Sequence, residues 1–132
     1  MKTDIREYIP KDKFDTEKTQ LLLDFNNEEI QPILFELLEW IKDMNWPVAQ
    51  KMIEILPRFH RELIPLIKAV LSAEQTDEIW KYWVISALLP KLPKESLAYI
   101  IPYVERIKSK PTEREIVEEV HEVAIELFSC QE

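Results

Sequence analysis

The sequence predicts an all-α fold assembled from repeated helix pairs, an α-solenoid, and three observations predict it. Apolar residues recur at spacings of three and four from about residue 16 to residue 128, broken by clusters of Asn, Asp and Pro. The 132 residues include no glycine, so two-residue hairpins lose their favoured residue, and runs of strict alternation are few. Short motifs also return at a fixed interval. Leu22-Leu23-Asp24, Ile55-Leu56-Pro57 and Leu88-Leu89-Pro90 close three helices at successive offsets of 33, and Pro32, Pro65 and Pro102 follow them at spacings of 33 and 37. Downstream of those prolines Ile33, Leu34 and Leu37 align with Leu66, Ile67 and Val70, and again with Tyr103, Val104 and Ile107. A period in the mid-thirties is that of stacked helix pairs, none of which can bury both faces alone.

Seven helices are expected, at about 16–25, 28–42, 46–57, 62–72, 77–89, 94–109 and 112–129. The first ends on the Leu-Leu-Asp motif. The second and fourth carry Pro32 and Pro65 near their starts, where a missing N–H costs little. Asn45 marks the start of the third, with Pro47 in its first turn. Asp77 precedes the fifth, whose stripe of Ile79, Trp80, Trp83, Val84, Ala87 and Leu88 is joined by Tyr82, Ile85 and Leu89 on the other side. That helix should be buried on nearly all sides. The sixth carries Pro102 deeper in its length, which predicts a kink. The seventh follows Pro111 with Thr112 and Glu115 as a capping box. Its stripe of Ile116, Val117, Val120, Val123, Ala124, Leu127 and Phe128 faces inward, and Glu115, Glu118, Glu119, Glu122 and Glu126 face solvent, as a terminal cap requires. Residues 1–14 are expected to be weakly ordered or strapped on the surface, with 15–132 as a single domain.

Composition narrows the function. The formal charge is −8, of which residues 112–132 contribute seven acids against Arg114. Such a field repels phosphate backbones and anionic membranes, and Lys51, Arg58, Arg61 and Lys68 are too scattered to override it. A DNA-repair role on a basic concave face is therefore disfavoured. Phosphate-cradling loops, dinucleotide fingerprints and nucleophile elbows need glycine and are excluded. No apolar run or signal core suggests a membrane or export, so the cytoplasm is the expected location. Cys130, the single cysteine, offers neither an internal disulfide nor a usual zinc site.

The runs "LLEWIKDMNWPVAQKMIEILP", "EIWKYWVISALLPKLP" and "PTEREIVEEVHEVAIELF" resemble the bacterial domain-of-unknown-function family numbered 5071, whose members often carry only the label cytoplasmic protein. The resemblance covers about Asp15 to Phe128. It implies a compact helical-repeat fold similar to HEAT or armadillo units, and no activity. The expected architecture is thus a short right-handed α-solenoid of about three HEAT/armadillo-like helix pairs with a C-terminal capping helix.

The candidate binding surface is Asp43, Asn45, Trp46, Asp77, Trp80 and Lys81. Tryptophans give large contact area at low entropy cost, and Lys81 offers a cation to a carboxylate or a ring. Against that stands a plain core in which the tryptophans pack between helices and Lys81 pairs with Asp77 one turn earlier. Asp43 and Asn45 have helix capping as their simpler role. Glu118-x-x-His121 has di-iron spacing but lacks the second pair and the further glutamates such a site needs, and His60 has no glutamate three residues before it. The serines Ser72, Ser86, Ser96, Ser109 and Ser129 have no motif context for nucleophilic catalysis. No catalytic residue, metal ligand or cofactor is assigned. The sequence points to a protein-interaction module for a partner with a basic surface, in one version an immunity-type inhibitor. The alternative is a small-molecule binder or enzyme using an aromatic groove around Trp46, Trp80 and Lys81.

Overall fold

The computed structural model describes residues 5–130, apart from the side chains of Lys18 and Cys130. The start of the expected N-terminal segment and the Cys130 thiol thus lie outside the described residues. Among those described there is no strand, and the fold is all-α. Among the described residues no helix is long and apolar enough to cross a membrane.

The helices are α1 (Thr16–Leu21), α2 (Asn27–Ile30), α3 (Leu34–Glu39), α4 (Pro47–Ile55), α5 (His60–Val70), α6 (Glu78–Trp83), α7 (Lys94–Ser109), α8 (Glu113–Val117) and α9 (Val120–Cys130). Several are joined without a loop by tighter 3-10 turns, and these fall on the repeating motifs. Leu22–Asp24, Leu56–Phe59 and Leu89–Lys91 are all 3-10 segments. Pro57 and Pro90 stand in the first turn of theirs, where the absent N–H has no partner to lose. Pro32 likewise opens the 3-10 turn Gln31–Ile33, which divides α2 from α3.

Three expectations about helix ends are corrected. Pro65 lies inside α5, which begins at His60 rather than two residues later. Trp46, not Asn45, occupies the N-cap of α4, with no side-chain cap and with Pro47 in the first turn. The seventh predicted helix is two, because Glu119 adopts a left-handed φ of 66° between α8 and α9. Helices commonly stop on a glycine in that conformation, and this chain has none to place there. The break has consequences for what faces solvent. Ile116 and Val117, assigned to the inner stripe, are exposed, while Glu115, assigned to the outer face, is fully buried.

Most of the apolar positions shared by the repeats form the core, while Leu66 is only half-buried and Tyr103 is exposed. Ile33, Leu34, Leu37, Ile67, Val70, Val104 and Ile107 are all buried in one cluster that also holds Met52, Phe59 and Trp80. Within it α3 packs on α5, α5 on α7 and α7 on α9, while α1 packs on α4 and α6 against α9. Polar contacts between elements recur at nearly one sequence interval. Asn27 donates to Glu62 (2.9 Å), Arg58 to the Leu23 carbonyl, Arg106 to the Leu71 carbonyl (2.9 Å) and Lys81 to Glu115 (2.9 Å), and His60 meets Ser96 (2.5 Å), over separations of 34 to 36 residues. At the N-terminal end, Ile5–Tyr8 forms a 3-10 turn whose Tyr8 packs edge-on against Phe25 at 4.8 Å.

Candidate functional site

The stretch from Asp77 to Trp83 begins where Asp77 caps α6, its Oδ1 accepting the Trp80 backbone N–H at 3.1 Å. Trp80 is 2% exposed; its Nε1–H donates to the Leu38 carbonyl at 3.1 Å and Phe35 meets it edge-on at 5.8 Å. Lys42 closes the outer side of that ring at 4.5 Å and lies 3.8 Å from Asp77. Trp80 is therefore core, and Trp83, expected inside, is only half-buried against Tyr82.

Lys81 is 0% exposed, and it pairs with Glu78 and Glu115 rather than with Asp77. The Glu115 carboxylate accepts from Lys81 Nζ at 2.9 Å, from both Arg106 Nη atoms and from the Thr112 backbone N–H at 2.8 Å, while Thr112 Oγ1 caps the Glu115 N–H. Burial alone would raise the Glu115 pKa. That effect is outweighed by hydrogen bonds from Arg106, Thr112 and Lys81 and by the Lys81 charge, so the carboxyl falls from its ordinary 4.5 to about 2. The ion group joins α6, α7 and α8, and its two cations match its two carboxylates. A buried charge that lost its partner here would be strongly destabilising.

The other candidates are spread along one connection. Asp43 Oδ1 accepts the Asn45 N–H at 2.9 Å and its carbonyl accepts the Trp46 N–H at 3.2 Å, so Asp43 builds the turn before α4. Asn45 is exposed, and half-buried Trp46 rests edge-on against Trp40 at 5.7 Å. The Asp43–Trp46 group and Asp77 are linked through Lys42, which stands next to Asp43 in the chain. The burial of Trp80 and Lys81 closes the groove that would have run between the two groups.

What opens instead is a cleft of about 610 Å³ beside them, between the start of α6 and α8. Asp77, Glu78 and Ile79 form one wall, and Glu113, Val117 and Glu118 the other. Ile79 is 55% and Val117 68% exposed, so the cleft has apolar flanks within an acidic rim. Arg114 is the one base among the lining residues. Ile79 and Val117 were both expected in apolar stripes facing the core, which is why reading the sequence missed them. The sequence carries no signal for the cleft, because the Lys81–Glu115 pair that sets α8 beside α6 is a tertiary contact.

Two other groupings appear only in the structure. His60 Nδ1 meets buried Ser96 Oγ, linking the start of α5 to that of α7. Lys68 lies between Tyr99 and Tyr103, at 5.9 and 5.5 Å from their rings. His121 meets the Lys108 carbonyl at 3.0 Å, and among the described residues no three His, Cys, Asp or Glu side chains gather to hold a metal ion.

The family model described as a domain of unknown function (DUF5071) matches residues 8–128. A search of curated proteins gives no match.

Proposed function

The chain belongs to the DUF5071 family, and from that premise we propose that it is a protein-interaction module whose docking face is the cleft between α6 and α8. One observation carries the reading: exposed Ile79 and Val117 stand in a cleft whose lining also holds four carboxylates against Arg114. Apolar side chains at the centre of an interface supply contact area, and the charged rim selects the partner and speeds its approach. The net charge of −8 favours a basic partner, and an immunity-type inhibitor is one form of the role. A catalytic or small-molecule role around Trp46, Trp80 and Lys81 draws no support from the burial of the last two.

The finer architecture belongs to the same proposal. A short right-handed solenoid of about three HEAT-like helix pairs, closed by α9, is supported by the 3-10 turns at equivalent motifs and by contacts at 34 to 36 residues. A cytoplasmic location fits the lack of a membrane-crossing helix among the described residues.

A photo-crosslinking residue placed at Val117, and in parallel at exposed Tyr99 beside Lys68, tests the docking face in extracts of the native host. A protein adduct at Val117 that fades as salt rises, with no matching adduct at Tyr99, is expected. Equal adducts at both positions, or none at Val117, would refute the assignment.

A further inference from the structure

We propose that α8 is a latch with two seats. In the seat described above Glu115 holds it against α6 and α7, and in the second it swings into line with α9, so that residues 113–130 form one helix. The inference does not rest on the docking reading, but it governs that site: α8 is a wall of the cleft, which exists only while the latch is closed.

Three observations meet at this segment. Between α8 and α9, Glu119 holds a φ of 66°, the single positive value among the described residues, and a residue with a Cβ keeps that conformation only where its surroundings impose it. Ile116 and Val117 are exposed, although they extend by steps of three and four the line of Val120, Val123, Ala124 and Leu127 through which α9 is buried. Glu115, one residue earlier, is fully buried and accepts from Lys81 of α6 and Arg106 of α7.

A straight helix cannot satisfy both sets of contacts. Its turn carries Glu115 away from the side that holds the apolar line, so a continuous helix brings Ile116 and Val117 in and releases Glu115. The broken helix does the reverse, at the expense of strain in Glu119. The two seats share their remaining local bonds. Thr112 and Glu115 form their capping box within α8, so the cap moves with it, and the Glu118 N–H already bonds the Arg114 carbonyl in helical register. With Glu115 gone, Lys81 retains Glu78 and Arg106 retains the Leu71 carbonyl. Two exclusive packings, joined by one residue whose φ changes between them, are the elements of a hinge.

Alpha-carbon chemical shifts of the full-length, isotope-labelled chain test it, because they separate left-handed, helical and coil backbone at each residue. Glu115→Gln takes away the charge that holds the closed seat, and the shifts of Glu118 and Glu119 should move to helical values continuous with α9. Coil values there, which mean that α8 only frays, or unchanged values overturn the inference. A second pair of variants, at exposed Glu119, leaves the ion group whole and decides the question if Glu115→Gln unfolds. Alanine favours the straight helix and glycine the left-handed break. Saturation transfer at the alpha-carbon resonances should therefore show Glu119→Ala visiting a minor state with helical shifts at positions 118 and 119. Its population should be at least about tenfold higher than in Glu119→Gly, the ratio that these two preferences together set. No such state in the alanine variant, or equal populations in the two, overturns the inference. Neither readout involves a partner, so failure of the crosslinking at Val117 leaves the latch standing, and failure here leaves the docking face.

Discussion

Replacing Glu115 by glutamine keeps the shape of the side chain and removes one charge from an ion group of four in which Glu115 and Lys81 are fully buried. The cost can be worked in two ways. A carboxyl held at about 2 instead of 4.5 stores up to about 3 kcal/mol, at 1.36 kcal/mol per unit. Breaking a buried ion pair by removing one partner costs about 3–5 kcal/mol. The glutamine Oε1 can still accept from Lys81 or Arg106 but brings no charge to balance them, so about 3 kcal/mol at pH 7 is the expected loss. The pH dependence follows from the sign of the shift. Because the folded carboxyl lies below its unfolded value, its contribution is fully present above pH 4.5 and disappears as the pH falls from there through about 2. Urea unfolding of the two proteins, followed by circular dichroism between pH 7 and pH 2.5, measures the gap between them. The gap should be about 3 kcal/mol at neutral pH and narrow steadily below pH 4.5. A gap under about 1 kcal/mol at pH 7, the worth of an exposed pair, or one that does not change with pH, would refute the reasoning.

Three further outcomes follow from single contacts. Glu119→Gly should stabilise the chain by about 1 kcal/mol, because the left-handed φ of 66° strains any residue with a Cβ, and a drop in the midpoint of thermal unfolding would contradict it. Trp80→Phe removes the Nε1–H bond to the Leu38 carbonyl and should cost about 1–2 kcal/mol in chemical unfolding, where a neutral result would place Trp80 outside the core. Acrylamide should quench the emission of variants retaining only Trp46 or only Trp83 far better than that of one retaining only Trp80, and equal quenching would contradict the burial pattern.

Much of the fold was legible because it depends on patterns the sequence carries openly. The apolar period located the helical regions, and the repeated Leu/Ile-Leu motifs fell on the 3-10 turns that end them. The Thr112 and Glu115 capping box was readable as such. What was not readable is that the same Glu115 carboxylate also anchors Lys81 and Arg106. A lysine is assigned to the surface by its charge, so the buried face of α6 was drawn through Ile79. The ion group instead turns that face toward Lys81 and releases Ile79 into the cleft. The break at Glu119 left no trace either, since a glutamate in a left-handed conformation has no signature where a glycine would have one. Val117 was placed inside for that reason. The two apolar residues of the proposed site, Ile79 and Val117, are ones that an unbroken helical period would have hidden. Asp77 alone is shared between the surface expected from the sequence and the cleft, and it was legible because it caps a helix.

The docking claim is tested most directly by hydrogen exchange on the chain with and without the partner captured through Val117, using the uncrosslinked complex. Slowed exchange should concentrate at residues 76–79 and 113–118, and it should weaken as salt rises. Protection confined to the face bearing Lys68, Tyr99 and Tyr103, with the cleft residues exchanging as in the free chain, would contradict the account.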